Sequence, residues 1–158
     1  MSKAVIGSAE AVKRIKALRQ QAVGILDDRA VASLLLARVK GRFMQGVAPD
    51  GTPWPGLLET TLERKRRSGG SKPEQLLYQS GRLYNSIKII KGSSAGILAG
   101  ATGVSARIGV SDPGAAEYGR LHNYGYGQEK RQFIGLNRLD VIAVSGMLRR
   151  KLKSIAKG

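Results

Sequence analysis

Pro49-Asp50-Gly51-Thr52-Pro53-Trp54-Pro55-Gly56-Leu57 holds the only tryptophan of the 158-residue chain and three of its five prolines. Helix-patterned sequence precedes it, and a glycine-rich, hairpin-like region follows. Asp-Gly before Thr-Pro is turn chemistry, because Gly accepts positive φ and Pro fixes its own φ. Prolines on both sides of Trp54 hold it extended. A rigid strap of this kind presses an indole onto a core. Trp54 therefore reads as a packing anchor rather than as a ring on which a ligand stacks.

On the N-terminal side, Val12, Ile15, Leu18, Ala22 and Ile25 recur at steps of three and four, which is one apolar helix face. Ser8 is placed to cap that helix, and Gly24 weakens its end. Asp27-Asp28 starts a second helix, in which Val31, Leu35, Val39 and Phe43 step by four and Gly46 is the stop.

On the C-terminal side, Thr60 and Glu63 have capping-box spacing and predict a short helix to about Arg67. It carries Arg64, Lys65, Arg66 and Arg67 in succession, followed by the loop-like Ser68-Gly69-Gly70-Ser71-Lys72-Pro73. A basic run of this sort is more often a solvated face than a binding site, although a global charge excess narrows that gap. Ser80 can cap a short helix over residues 81–86. Strands are predicted over 87–91 and 106–110, with Ala106, Ile108 and Val110 on one face, and a weaker one over 96–99 after a Gly92-Ser93-Ser94 turn. Short turns between them imply an antiparallel meander. Asp112-Pro113-Gly114 reads as a turn, 115–123 as a short helix, 126–131 as an exposed loop and 132–136 as an extended segment. A last helix from about Asn137 has the apolar stripe Val141, Val144, Leu148, Leu152 and Ile155, with Arg149, Arg150, Lys151 and Lys153 on its other faces. The fold class is thus α+β: a small antiparallel β-sheet packed by N-terminal and C-terminal helices. Residues 1–158 read as one domain with a helical part (1–46), a strap, hairpin and loop part (47–136) and a C-terminal helix (137–158).

Hydrophobic residues make up 42% and aromatics 5%, so the core must be mostly aliphatic. Lys and Arg number 27 against 11 Asp and Glu, a net charge of +16. Such an excess repels itself unless nucleic acid, an acidic protein surface or an anionic membrane lies nearby. With no cysteine and one histidine, His122, thiolate and multi-histidine metal sites are excluded, and no cofactor is expected. No apolar run approaches the roughly 18 residues that span a bilayer, and the first seven residues do not read as a signal peptide.

Gly92-Ser93-Ser94-Ala95-Gly96 fits the G-x-S-x-G nucleophile-elbow pattern, with Asp112 and His122 in the matching order. The residues after Ser94 are poor helix sequence, however, and the strand–helix alternation of a hydrolase is missing, so the match is set aside. Gly125-Tyr126-Gly127 lacks the leading strand and following helix of a dinucleotide loop. His122 reads as a side chain bonded within the turn that ends its helix. Tyr118, Tyr124 and Tyr126 with Arg120, Lys130 and Arg131 are an aromatic–basic mixture, suited to stacking single-stranded bases or to a protein interface.

Four stretches in order resemble the signatures of the tailed-phage virion morphogenesis family, the Mu-type and P2-type tail completion or neck proteins. The first is Arg42-Phe43 with the strap, Thr60 and Lys65. The second is Leu76-Leu77-Tyr78-Gln79-Ser80-Gly81-Arg82-Leu83-Tyr84-Asn85-Ser86-Ile87. The third is Tyr118-Gly119-Arg120-Leu121-His122-Asn123-Tyr124-Gly125, and the fourth Arg131-Gln132-Phe133-Ile134-Gly135-Leu136 before a final helix. The resemblance implies a non-enzymatic virion component, assembled in the host cytoplasm. It implies self-association as a ring, commonly six-fold, docked on other neck or tail proteins, with no membrane. A ring around the DNA exit path would point Arg64, Lys65, Arg66, Arg67, Arg149 and Arg150, or Tyr124 and Tyr126, at packaged DNA in its lumen or at a neighbouring subunit. The competing reading is a sequence-independent nucleic-acid-binding protein, and salt separates the two, because phosphate-driven affinity falls steeply as salt rises.

Overall fold

The structure is a computed structural model that describes residues 8–21, 28–70, 72–91 and 106–157. Its central element is the second helix. The first helix, α1, spans Ser8–Gln21, and α2 spans Asp28–Gln45. The four-residue spacing of Val31, Leu35, Val39 and Phe43 puts all four on one side of α2, and each is at most 1% exposed. At Gly46 the backbone turns to φ 66°, a left-handed conformation that stops the helix.

The strap that follows is a tight hairpin rather than a purely extended segment. Val47 and Pro53 form an antiparallel bridge across the Asp50-Gly51 turn. Ala48 N–H donates to Thr52 O at 2.8 Å, and Trp54 N–H to Gly46 O at 2.7 Å. Asp50 Oδ1 accepts from Thr52 N at 2.9 Å. This turn returns the chain onto α2. Trp54 meets Phe43 edge-on at 5.5 Å, and its Nε1–H donates to Gln132 O at 2.9 Å.

Helix α3 spans Glu59–Arg67. Its cap differs from the expected capping box: Leu58 stands at the N-cap and makes no side-chain cap bond, so the helix starts one residue before Thr60. Helix α4 (Arg82–Ser86) leads directly into β1 (Ile87–Lys91), which pairs antiparallel with β2 (Ala106–Val110) in the register Ile87 with Val110 and Ile89 with Ile108. Ile87 and Ile108, one from each strand, are buried. The expected turn at 92–94, the weaker strand over 96–99 and Ser94 lie outside the described residues.

Helix α5 spans Pro113–Tyr124. The Asp-Pro-Gly stretch is its start, not a separate turn: Asp112 Oδ1 accepts from Ala115 N at 2.7 Å, and Pro113 occupies the first turn, where no N–H is missed. Gly125, at φ 77°, closes the helix. Residues 131–136 form no strand. Side chains fix them instead: Asn123 Oδ1 accepts from Phe133 N at 3.1 Å and Ile134 N at 3.0 Å.

Helix α6 (Arg138–Ala156) lies against α1 and α2, while α2, α4 and α5 contact the sheet. Asn137 caps α6 in a reciprocal box with Asp140. Asp140 is 0% exposed and receives Arg42 Nη1 at 2.9 Å and Arg38 Nε at 2.5 Å. Arg42 Nη2 reaches on to Gly135 O at 2.6 Å. The stripe expected along α6 is covered only in its first half. Val144 is buried, but Leu152 and Ile155 are 43% and 57% exposed, beyond the reach of the core.

Removing the carboxylate at 140 leaves two guanidinium groups facing each other without a counter-charge, one of them buried, and unties the cap of α6. Asp140→Ala is expected to cost about 3–5 kcal/mol in a urea melt. A loss under about 1 kcal/mol, the size of an exposed pair, would contradict this account.

Candidate functional site

Trp54 is 6% exposed and lies between Phe43 and the Gln132 carbonyl, so its indole faces inward. The four cations of α3 divide. Arg66 Nη2 binds Glu74 at 2.5 Å and Arg67 Nη2 binds Glu63 at 3.7 Å, so both are engaged within the chain. Lys65 is not an outward-facing cation as expected: it is 7% exposed, and its Nζ donates to Gln75 O at 2.6 Å. Arg64 stays exposed. Tyr124 and Tyr126 are each 60% exposed and rest against one another with ring centroids 5.7 Å apart. Arg149 and Arg150 are exposed on the distal half of α6.

A cleft of about 620 Å³ gathers some of these residues and not others. Its walls come from the strap after Trp54, from α3, from residues 77–79, from α5 and from 128–131. Arg64 and Lys65 line it; Arg66, Arg67, Tyr124, Tyr126, Arg149 and Arg150 do not.

Arg131 is the cleft residue that sequence patterning misplaces. Expected in an exposed loop, it is 8% exposed, and its guanidinium donates to the carbonyls of Pro55 and Gly56 at 3.0 Å each. The two carbonyls belong to the strap, 75 and 76 residues away in sequence, so no local signal marks the contact. The burial of Lys65 is equally invisible in a run of four cations.

The electrostatics of the cleft are one-sided. Lys65 and Arg131 are both buried, and among the described residues each donates hydrogen bonds to neutral carbonyls. Among the described residues, neither they nor Arg64 form an ion pair, and Glu129 is the acidic residue lining the cleft. Desolvation pushes the Lys65 ammonium below its ordinary pKa. His122, expected to bond within the turn that ends its helix, stands in the last turn of α5 at 7% exposure, edge-on to Tyr118 at 4.6 Å, and its Nδ1 has no hydrogen-bond partner among the described residues. Burial lowers the His122 pKa, the nearby Arg131 charge lowers it further, and a hydrogen bond with the Glu129 backbone opposes both. Burial also raises the Tyr118 phenol above its usual range.

Among the described residues that line the cleft, Ser68 Oγ donates to the Lys65 carbonyl and accepts from Gln79 Nε2. No group of three or more His, Cys, Asp or Glu among the described residues is placed to hold a metal ion. Among the same residues, no helix is long and apolar enough to cross a membrane. What the cleft offers is shape, apolar lining and positive charge.

With this geometry in place, the comparisons define the class: the chain belongs to the phage virion morphogenesis family, whose model matches residues 9–153. No curated protein and no solved structure matches it. Membership gives the chain a structural role in virion assembly.

The depressed His122 pKa has a direction in pH. The imidazole is held neutral in the folded chain and protonates more readily when unfolded, near pH 6.5. Its contribution is therefore complete above about 6.5 and is lost as pH falls through the lower, folded value. Asp50 and Asp112, held below 3.8 chiefly by backbone N–H groups, act in a separate, more acid range. The melting temperature is expected to fall as pH drops below about 6.5, and His122→Gln to flatten that slope. Equal slopes for the two proteins would remove His122 as the cause.

Proposed function

We propose that the chain is a non-enzymatic subunit that completes the tail or the head–tail joint, and that it works as a ring of copies. The observation that carries this is the distribution of uncovered apolar surface. Leu121, Tyr124 and Tyr126 are exposed on and just after α5, and Leu139, Ile142, Leu152 and Ile155 along α6. Large side chains of this kind are expected at protein–protein contacts, where Tyr is enriched. Two different patches, one on each of two helices, suit a head-to-tail contact, and a head-to-tail contact that closes makes a ring.

Charge supports the placement. Copies at +16 repel one another, and a ring is easier to hold if its cations surround or face something acidic. Arg149 and Arg150 continue into the exposed Lys151 and Lys153, the densest free basic surface on α6 and the part best suited to packaged DNA or an acidic neighbour. The same surface favours the second reading, sequence-independent binding of nucleic acid.

Light scattering at about 150 mM and about 500 mM salt, with and without short duplex DNA, separates the readings. The ring predicts a multimer without DNA that persists at high salt. A monomer that gains mass only with DNA, and only at low salt, would overturn the ring in favour of nucleic-acid binding.

The α3 cations are the weaker candidates for facing DNA, because Arg66 and Arg67 already hold carboxylates of their own chain. Reversing Arg149 and Arg150 to Glu is therefore expected to reduce the yield of joined particles more than reversing Arg66 and Arg67. The opposite order would move the basic face to α3.

A further inference from the structure

We propose that the cleft between α3, α5 and the strap is a docking site for an acidic, apolar peptide segment of another virion protein. The inference rests on family membership, not on the ring.

Three features of the cleft converge. First, its lining includes two buried cations, Lys65 and Arg131, whose hydrogen bonds among the described residues go to carbonyls, with Arg64 exposed beside them and Glu129 as the one acidic group in the described lining. A buried cation is stabilised most by an opposite charge brought into the same low-dielectric space, so the cleft as it stands is complementary to a carboxylate. Second, the cleft is lined by apolar side chains that water alone would not favour: Leu58, 75% exposed, on the strap, and Tyr118, 46% exposed, on α5. Third, His122 lines it with a buried Nδ1 that has no partner among the described residues.

The apolar lining distinguishes this site from a phosphate-tracking surface. A nucleic-acid backbone is met by solvated cations on an open face, whereas Leu58 and Tyr118 call for a side chain that buries with them. A second copy of this chain is poorly equipped to be the occupant. Among the described residues, Glu10, Glu59, Glu63, Glu74, Asp112 and Asp140, six of the chain's 11 acidic residues, are already in ion pairs within the chain. The partner is therefore a different protein, offering Asp or Glu next to Leu, Ile or Phe.

The test uses the full chain and three fluorescein-labelled peptides: one alternating Leu and Glu, one alternating Leu and Gln, and one alternating Gly and Glu. Binding is read by fluorescence polarisation. The Leu–Glu peptide is expected to bind, and the other two to bind at least about tenfold more weakly. Arg64→Glu and Leu58→Asp, both at exposed positions, are expected to weaken it by about tenfold each. Lys13→Glu, an equal change of charge at an exposed position of α1 outside the cleft lining, is expected to leave it unchanged. Circular dichroism checks that each variant is folded. No binding of the Leu–Glu peptide at about 1 mM, equal binding of the Leu–Gln peptide, or equal weakening by Lys13→Glu would overturn the proposal. Full displacement by short duplex DNA that also depends on Arg64 would overturn it in favour of a nucleic-acid site. Peptide polarisation reports on the cleft whether the chain is monomer or multimer, so a negative result here and a negative result for the ring are distinct.

Discussion

One carboxylate constrains most of the molecule. Asp140 sits fully buried between two helices that are about a hundred residues apart in sequence, and it has three tasks. It neutralises Arg42 and Arg38 on α2. It completes the capping box that starts α6. Through Arg42, which also holds the Gly135 carbonyl, it fixes the segment that leads into that helix. A buried ion pair is weak evidence of stability on its own, since desolvating the charges offsets their attraction. Its value here is positional: only one arrangement of α2, α6 and the intervening segment satisfies all three groups together.

A second set of ties depends on the first. With 135–137 in place, the preceding residues run past the strap, where Gln132 O receives the Trp54 indole and the Arg131 guanidinium takes the Pro55 and Gly56 carbonyls. Asn137 adds a bond from its Nδ2 to the Pro49 carbonyl. The strap is thus held at both ends by side chains from one short irregular segment. That is why the cleft has defined walls although two of them are loops. Gly119 shows how close the packing is. A Cβ there would come within 3.0 Å of both Leu83 and Phe133.

Much of this was legible in the residues, and the exceptions have a common cause. The four-residue spacing of Val31 to Phe43 defined the buried face of α2, the β-branched run at 87–91 defined a strand, and the Asn137 start of α6 was visible in its neighbourhood. Trp54 was marked as an anchor by its prolines, and the structure supplies its contacts. The misses involve cations buried against backbone carbonyls. Lys65 looked like one cation of four, and Arg131 like part of an exposed loop, because a bond to a carbonyl, 10 residues away for Lys65 and 75 and 76 for Arg131, leaves no periodicity. The α3 cap failed for the opposite reason: Thr60 and Glu63 had the right spacing, but the N-cap falls two residues earlier, at Leu58. The apolar stripe of α6 was read correctly as a pattern, yet a pattern does not reveal how far the rest of the chain extends to cover it.

That uneven cover makes α6 two helices in mechanical terms. Its first turns are locked by the capping box, by Asp140 and by Val144. Its last turns carry exposed side chains and, among the described residues, a local bond from Ser154 Oγ to the Lys151 carbonyl. Opening a helix end costs little where no tertiary contact is lost with it. Amide hydrogens should therefore exchange slowly at the start of α6 and quickly at its end, with the change falling soon after Val144. An arm of that kind is anchored at its root and adaptable at its tip, able to settle onto a surface without disturbing the body that carries it.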